Sequence, residues 1–320
     1  MSIACPPATI DRSPGRSCPL GYRHGPAALA KAAEQAAETL YVIGGLYGNR
    51  PVLAALRQLA AHESGPVSFC FNGDFNWFNV DDAGFLAVNE FVLGHDACLG
   101  NVEAELIAGD DTAGCGCAYP ESVDGATVDR SNRIHQRLKR TAQAHPDLLR
   151  RLAELPMVRR YRIGGHAIGV VHGDAESLAG WRFNVSALDD PANRGWIEAA
   201  FAAAEVEIFA SSHTCLPALR SFGPGWVANN GAAGMPNLRG CRSGIITRIA
   251  VSPAPTPALY GGCLGQLHID AMALDYDAAA WERDFLANWP AGSPAYLSYW
   301  QRIADGPNHA LASAAPNPTR

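Results

Sequence analysis

The stretch Leu40 to Leu56, LYVIGGLYGNRPVLAAL, constrains the fold of this chain more than any other. Thr39 to Ile43 are apolar or β-branched and predict a buried strand. Gly44, Gly45 and Gly48 follow, a turn where the backbone must bend sharply or approach another group closely. Pro51 suits the first position of a helix, and Val52, Leu53 and Leu56 give that helix an apolar face. A strand, a glycine turn and a helix in succession place a ligand at the carboxyl end of a sheet. The glycine spacing is not GxGxxG, and the second half of the chain does not continue as βαβ units, so a dinucleotide cradle is not expected.

Residues 67–71 predict a second strand, running into Asn72-Gly73-Asp74, and residues 84–93 carry helical spacing. A short third strand at 96–99 ends in Gly100-Asn101, so the class expected is α/β. From 108 to 156 the character changes. A loop with Cys115-Gly116-Cys117 leads to a basic helix over 128–144 and a second helix over 146–155, expected as a helical insertion over the top of the sheet. Arg130, Arg133, Arg137, Lys139 and Arg140 make that first helix either a solvated face or an arm reaching an anionic substrate. A hairpin at 161–171 ends in His172-Gly173-Asp174, and a helix over 198–204 precedes a strand at 206–210 that ends in Ser211-Ser212-His213. Strand-like segments at 226–229, 244–251 and 264–273 favour antiparallel pairing, and helices at 278–286 and 294–303 close the chain. The domain plan is an extended arm over 1–26, one domain over 27–305 and a disordered tail over 306–320.

Composition narrows the partners. Apolar content of 48% and charged content of 18% are those of a soluble globular protein, and a net charge of -6 disfavours a nucleic-acid polymer. No apolar run reaches the roughly 18 residues that span a bilayer, so no membrane partner is expected. The first residues lack the apolar segment of a secretion signal, and nine cysteines in no framework spacing point to reduced thiols. A cytoplasmic location follows as an expectation.

Four polar residues stand directly after apolar strands: Asp74, Asn101, His172 and His213. One carboxylate, one amide oxygen and two imidazoles suit Mn, Fe, Zn or a similar divalent ion. Each alone has an ordinary reading, as a turn aspartate or a hydrogen-bonded core histidine. All four in equivalent places shift the balance toward a metal. Cys115 and Cys117 read as loop thiols or as a soft-metal or redox pair. Glu176, beside Trp181, either shapes a pocket or caps the next segment.

The series LYGNRPVLAAL, NGDFNWFN, GNVEAEL, VVHGD, SSHTC and NNGAAGMPN, in this order and spacing, resembles the calcineurin-like metallophosphoesterases from about Tyr41 to Ala250. Their motifs are DxHGN, GDxxD, GNH[DE], a histidine in a GH or HG turn, GHxH and NPGS. The resemblance implies a four-layer α-β-β-α sandwich with two mixed sheets and two metals held by loops at strand ends. It makes Asp74 the bridging carboxylate and Asn101, His172 and His213 the other ligands of one metal. The other half departs from the pattern: Gly45 and Tyr47 replace the DxH pair, Cys215 the second histidine of GHxH, and Val102 the histidine of GNH. Gly48 and Asn49 of the first motif remain, Glu103 can orient a ligand, and Asn230 parallels the asparagine of the NPG turn. One divalent metal ion is therefore expected, in a hydrolase of a phosphate mono- or diester of a small metabolite or nucleotide, with water on the metal as nucleophile. The alternatives are a catalytically inactive binding protein, or a mononuclear metal enzyme acting on another bond through Tyr47 or Cys215.

Overall fold

The computed structural model describes residues 13–315. In β2 (Thr39–Ile43), Leu40 and Val42 join one apolar cluster while Tyr41 and Ile43 join another, and all four are buried. A strand covered on both faces requires a layer on each side. Leu40, Val42 and Cys70 meet Tyr161, Ile168 and Val170 across the interface between two sheets.

The first sheet contains β1 (Glu34–Ala36), β5 (Val158–Ile163), β6 (His166–Val171), β7 (Ile208–Ser211), β8 (Ala218–Phe222) and β9 (Gly225–Asn229), in the order β1-β5-β6-β7-β9-β8. The second contains β2, β3 (Val67–Asn72), β4 (Asp96–Cys98), β10 (Gly244–Ala250), β11 (Tyr260–Leu264) and β12 (Leu267–Leu274), in the order β11-β12-β10-β2-β3-β4. On the outer face of the second sheet, Tyr41, Ile43 and Phe71 pack with α2 (Pro51–Ala60), α3 (Asp82–Val92), α9 (Ala278–Asn288) and α10 (Pro294–Asp305). On the outer face of the first, Val171 and Phe209 are covered by α1 (Ala27–Lys31), α7 (Val185–Asp189) and α8 (Pro191–Ala204). This is the four-layer α-β-β-α sandwich that the sequence predicts.

Both sheets are mixed. β2, β3 and β4 pair in parallel, as do β6 with β7 and β7 with β9, while β10, β11 and β12 pair antiparallel. The second half is thus less antiparallel than its sequence suggests. The consequence is functional: β2, β3, β4, β6 and β7 send their carboxyl ends to one edge of the sandwich. Asn72 at the end of β3 donates to the Val171 carbonyl at the end of β6 (3.1 Å), which ties the two edges together.

Three expectations need correcting. The segment over 108–156 becomes α5 (Gly125–Gln143) and α6 (Pro146–Ala153), preceded by α4 (Asn101–Ile107), which the sequence reading left out. The basic face of α5 is tied into the structure: Arg130 donates to Ser298, Arg137 donates to the Asn288 carbonyl and stacks on Trp289, and Lys139 pairs with Asp111. The chain end also orders beyond 305. α11 (Leu311–Ala314) buries Ala314, and Arg220 holds the carbonyls of Ser313, Ala314 and Ala315. Residues 13–26 run along α4 and its following loop, with Tyr22 buried and donating to Glu105, and Gly15 bonded to Ala113 and Tyr119. The remainder of the arm, 1–12, and of the tail, 316–320, lies outside the described residues. No described helix is long and apolar enough to cross a membrane.

Candidate metal centre

The four strand-end residues meet. His172 Nε2 lies 3.1 Å from Asn101 Oδ1, 3.2 Å from His213 Nδ1 and 3.3 Å from Asp74 Oδ1. The donor atoms of Asp74, His172 and His213 all fall within 4.8 Å of one another, and all three residues are buried. Backbone conformation serves this convergence. Of the six described residues other than glycine at positive φ, four belong to this region: Asp74 at 51°, His213 at 32°, Tyr47 at 53° and Cys215 at 62°. Left-handed backbone costs non-glycine residues of order 1–3 kcal/mol and persists where surrounding structure imposes it. Gly73 and Gly100 let the turns close: a Cβ on Gly73 would stand 2.6 Å from His172 Nδ1, and one on Gly100 2.3 Å from Asp74 Oδ1.

Each ligand is oriented from behind. His172 Nδ1 donates to the Asn72 carbonyl at 2.7 Å, so in the neutral ring Nε2 carries a bare lone pair. Asn101 donates its amide nitrogen to the Cys115 carbonyl at 2.9 Å, which aims its oxygen at His172. Glu103 gathers three backbone amides, from Asp74 (2.8 Å), Asn76 (3.1 Å) and Gly100 (3.2 Å), and so clamps the β3 turn to the start of α4. Val102 N donates to Asp74 Oδ1 at 3.2 Å.

The donor set fits a metal ion. A carboxylate oxygen, an amide oxygen and two imidazole nitrogens with lone pairs facing one another repel unless a cation lies among them. Ions bonded at about 2.0–2.2 Å hold adjacent ligand atoms about 3–3.5 Å apart, as His172 Nε2 stands from Asn101, His213 and Asp74. Without a metal, a proton serves instead. Burial opposes charging His172, but the Asp74 carboxylate outweighs it and raises the imidazole pKa. Burial likewise opposes ionising Asp74, and His172 overrides it, so the carboxyl is held low. His213 is driven down to about 3 by burial and by the His172 charge. Burial and the Asp74 charge push Glu103 up to about 7.

The other half of the motif set is filled by protein. Tyr47 folds its ring back over Gly45: a Cβ at residue 45, where φ is 66°, would stand 2.7 Å from ring carbon Cε2. The Tyr47 hydroxyl lies 2.9 Å from Cys215 Sγ, and that thiol donates to the His213 carbonyl at 3.2 Å. Burial raises the pKa of both the phenol and the thiol. The three replacements are one unit, with the missing side chain at 45 making room for the ring and the thiol capping its hydroxyl.

Asn49, Asn230 and Glu176 stand apart. Asn49 donates to the Gly234 carbonyl, and Asn230 to the carbonyls of Gly44 and Ile245; both staple loops. Glu176 accepts from the Trp196 indole on the surface and forms no part of the cavity, which corrects the pocket role considered for it. A small cavity of about 40 Å³ opens over Asp74, Asn101 and His213. Trp77, Tyr119, Trp181, Tyr299 and Cys117 join Tyr47 and Cys215 in its walls. Sequence reasoning noticed Trp181 and Cys117 but missed the others. Trp77, inside NGDFNWFN, is the one that its position two residues beyond the GDF turn could have exposed. Tyr299 arrives on α10 from far along the chain, with no local signal.

No family model and no curated protein matches the sequence. Solved structures do resemble this one. A metallophosphoesterase from Sphaerobacter thermophilus superposes with a TM-score of 0.53 at 16% identity, covering 84% of this chain and 99% of its own. The hypothetical protein PH1004 from Pyrococcus horikoshii OT3 superposes with a TM-score of 0.56 at 17% identity, again over 84% and 99% of the two chains. Together with two mixed sheets that converge at a cluster of metal-ligand residues, these likenesses establish that the chain has the fold of the calcineurin-like metallophosphoesterases.

Proposed function

We propose that this protein hydrolyses a phosphate ester of a small molecule, using one divalent metal ion held by Asp74, Asn101, His172 and His213. The observation that carries this reading is the convergence of those four donors beside an open cavity, with the neighbouring metal position filled by the Tyr47 ring. A divalent ion supplies Lewis acidity there, polarising a phosphoryl oxygen and acidifying a water molecule.

The chain's own residues set the conditions for that chemistry. The Asn72 carbonyl fixes the His172 tautomer, and the Cys115 carbonyl fixes the Asn101 amide, so these two donors are aimed at the same point as Asp74 and His213 once a metal displaces the proton on His172. Among the described residues Asp74 is the only acidic one lining the cavity, so it would neutralise part of a bound ion's charge and leave the rest for the substrate. Val102 cannot donate a proton to the leaving group. Burial keeps the phenols of Tyr47, Tyr119 and Tyr299 protonated in the cavity walls, and Tyr47 has Cys215 as its hydrogen-bond partner.

Protein purified without chelators, then assayed on monoester and diester model substrates with Mn, Fe and Zn, tests the reading. Metal-dependent turnover that disappears in Asp74→Asn, with the circular dichroism spectrum kept, is expected. No turnover with any metal favours a binding protein instead. A second reading is supported by a separate observation. Two imidazoles and a carboxylate are also the ligands of mononuclear iron oxygenases, and an oxidisable phenol–thiol pair stands beside them here. Dioxygen uptake by the ferrous-loaded protein would favour that reading.

A further inference from the structure

We infer that the cavity selects a singly charged phosphodiester carrying a flat aromatic group over a doubly charged monoester. The inference rests on the metal-site reading above and names the substrate class of that site. It stands on two features of the cavity, its charge and its walls.

Among the described residues, no lysine or arginine lines the cavity. Arg302 is nearby, but its Nε donates to the Pro236 carbonyl at 3.0 Å and its Nη2 to the Cys215 carbonyl at 2.7 Å. Of the five cations of α5, Arg130, Arg137 and Lys139 are held elsewhere by Ser298, Asn288 and Asp111, and Arg133 and Arg140 are exposed and do not line the cavity. The ligand set is one carboxylate and three neutral donors. A divalent ion bound to it leaves a single positive charge in excess. A phosphodiester monoanion cancels that charge. A monoester dianion overshoots it, and the surplus negative charge must be desolvated against aromatic walls with no cation to receive it. Sites that accept phosphate dianions present arginine forks, lysines or helix N-termini to the extra oxygens. Here α4 starts at the site, but its Val102 amide already donates to Asp74 Oδ1 (3.2 Å), and the rest of the wall is Tyr47, Trp77, Tyr119, Trp181 and Tyr299.

The walls specify the ester's substituent. Trp181 is locked by its indole N–H on the Cys117 carbonyl (3.0 Å) and packs edge-on against His213 with ring centroids 5.2 Å apart. Tyr119 continues the same wall, 6.0 Å from Trp181, and its hydroxyl is anchored to Ser131 Oγ at 3.0 Å. Rings fixed in this way offer preorganised apolar faces directly beside a metal ligand, where an aryl group or nucleobase attached to phosphate can pack.

The test uses manganese-loaded full-length protein and three non-reacting probes, measured by isothermal titration calorimetry. Phenylphosphonate, at a pH where it is doubly charged, and methyl phenylphosphonate share one ring and differ in charge. Dimethyl phosphate keeps the single charge and lacks the ring. Methyl phenylphosphonate is expected to bind about tenfold more tightly than either of the others. In Trp181→Leu it should lose that advantage over dimethyl phosphate, whose own affinity is unchanged. Equal or tighter binding of phenylphosphonate, or no effect of the ring in the wild-type protein, overturns the inference. Turnover of p-nitrophenyl phosphate and bis(p-nitrophenyl) phosphate separates it from the hydrolase reading. Preference for the monoester sinks the selectivity and keeps the hydrolase, whereas no turnover of either with the binding order intact sinks the hydrolase and keeps the selectivity.

Discussion

Gly45 is fixed by two constraints at once. Its φ of 66° is one that side chains other than glycine adopt at a cost, and its Cβ position is occupied by the edge of the Tyr47 ring. Gly45→Ala is expected to lower the unfolding free energy by about 1–3 kcal/mol from backbone strain, with a further loss from the ring contact. In a Tyr47→Ala background the ring contact is gone and the backbone cost alone remains. Urea denaturation of the two single variants and the double variant gives the coupling directly; identical costs in both backgrounds would show that the ring does not depend on this glycine. The replacements at 45, 47 and 215 are legible in the sequence as three separate losses of metal ligands. That one side chain fills the vacated space is not, because the ring's direction follows from the positive φ of Tyr47 and from its contact with a thiol far along the chain.

Elements meet at this site by their ends, so their packing transmits to it. α5 docks on α4 partly through His135, whose Nε2 contacts the Val102 carbonyl at 3.1 Å, next to the ligand Asn101. Burial holds His135 down to about 4. The unfolded chain takes up that proton near 6.5, so the contribution is fully present above about 6.5 and is lost as pH falls toward the folded value. In chelator-treated protein, stability should decline by up to about 1.4 kcal/mol per pH unit across that window on account of this residue. His135→Gln should flatten the decline relative to wild type, as read from urea midpoints at successive pH values; parallel curves would contradict it. Apolar runs ending abruptly in Asp74, His172 and His213 made the strand ends legible without a structure. β1, β8 and β11 were not. β1 is three residues of Glu-Gln-Ala at a sheet edge, β8 breaks its apolar residues with Arg220 and Ser221, and β11 contains two glycines, so none shows a continuous apolar run. α4 was hidden because its first residue is itself the ligand Asn101.

The whole molecule is closed by its chain end. Arg220 pairs with Asp189 and holds three carbonyls of residues 313–315, which is why the tail orders against β8 where its composition suggests disorder. Arg220→Ala leaves those groups unpaired and is expected to cost about 2–4 kcal/mol and to open residues 306–315 to proteolysis, followed by mass spectrometry of the trimmed product. Unchanged stability and an uncut tail would mean that the tail is held by something else. The central proposal concerns stoichiometry: Asp74, Asn101, His172 and His213 hold one metal ion, while the Tyr47 ring occupies the space beside Gly45. Calorimetric titration of Mn or Zn into metal-free protein, with elemental analysis of the product, measures it most directly. One ion per chain is predicted, abolished in Asp74→Asn and His213→Ala and kept in Tyr47→Phe and Cys215→Ser. Two ions per chain, or a single ion that survives Asp74→Asn and is lost in Cys215→Ser, would contradict it.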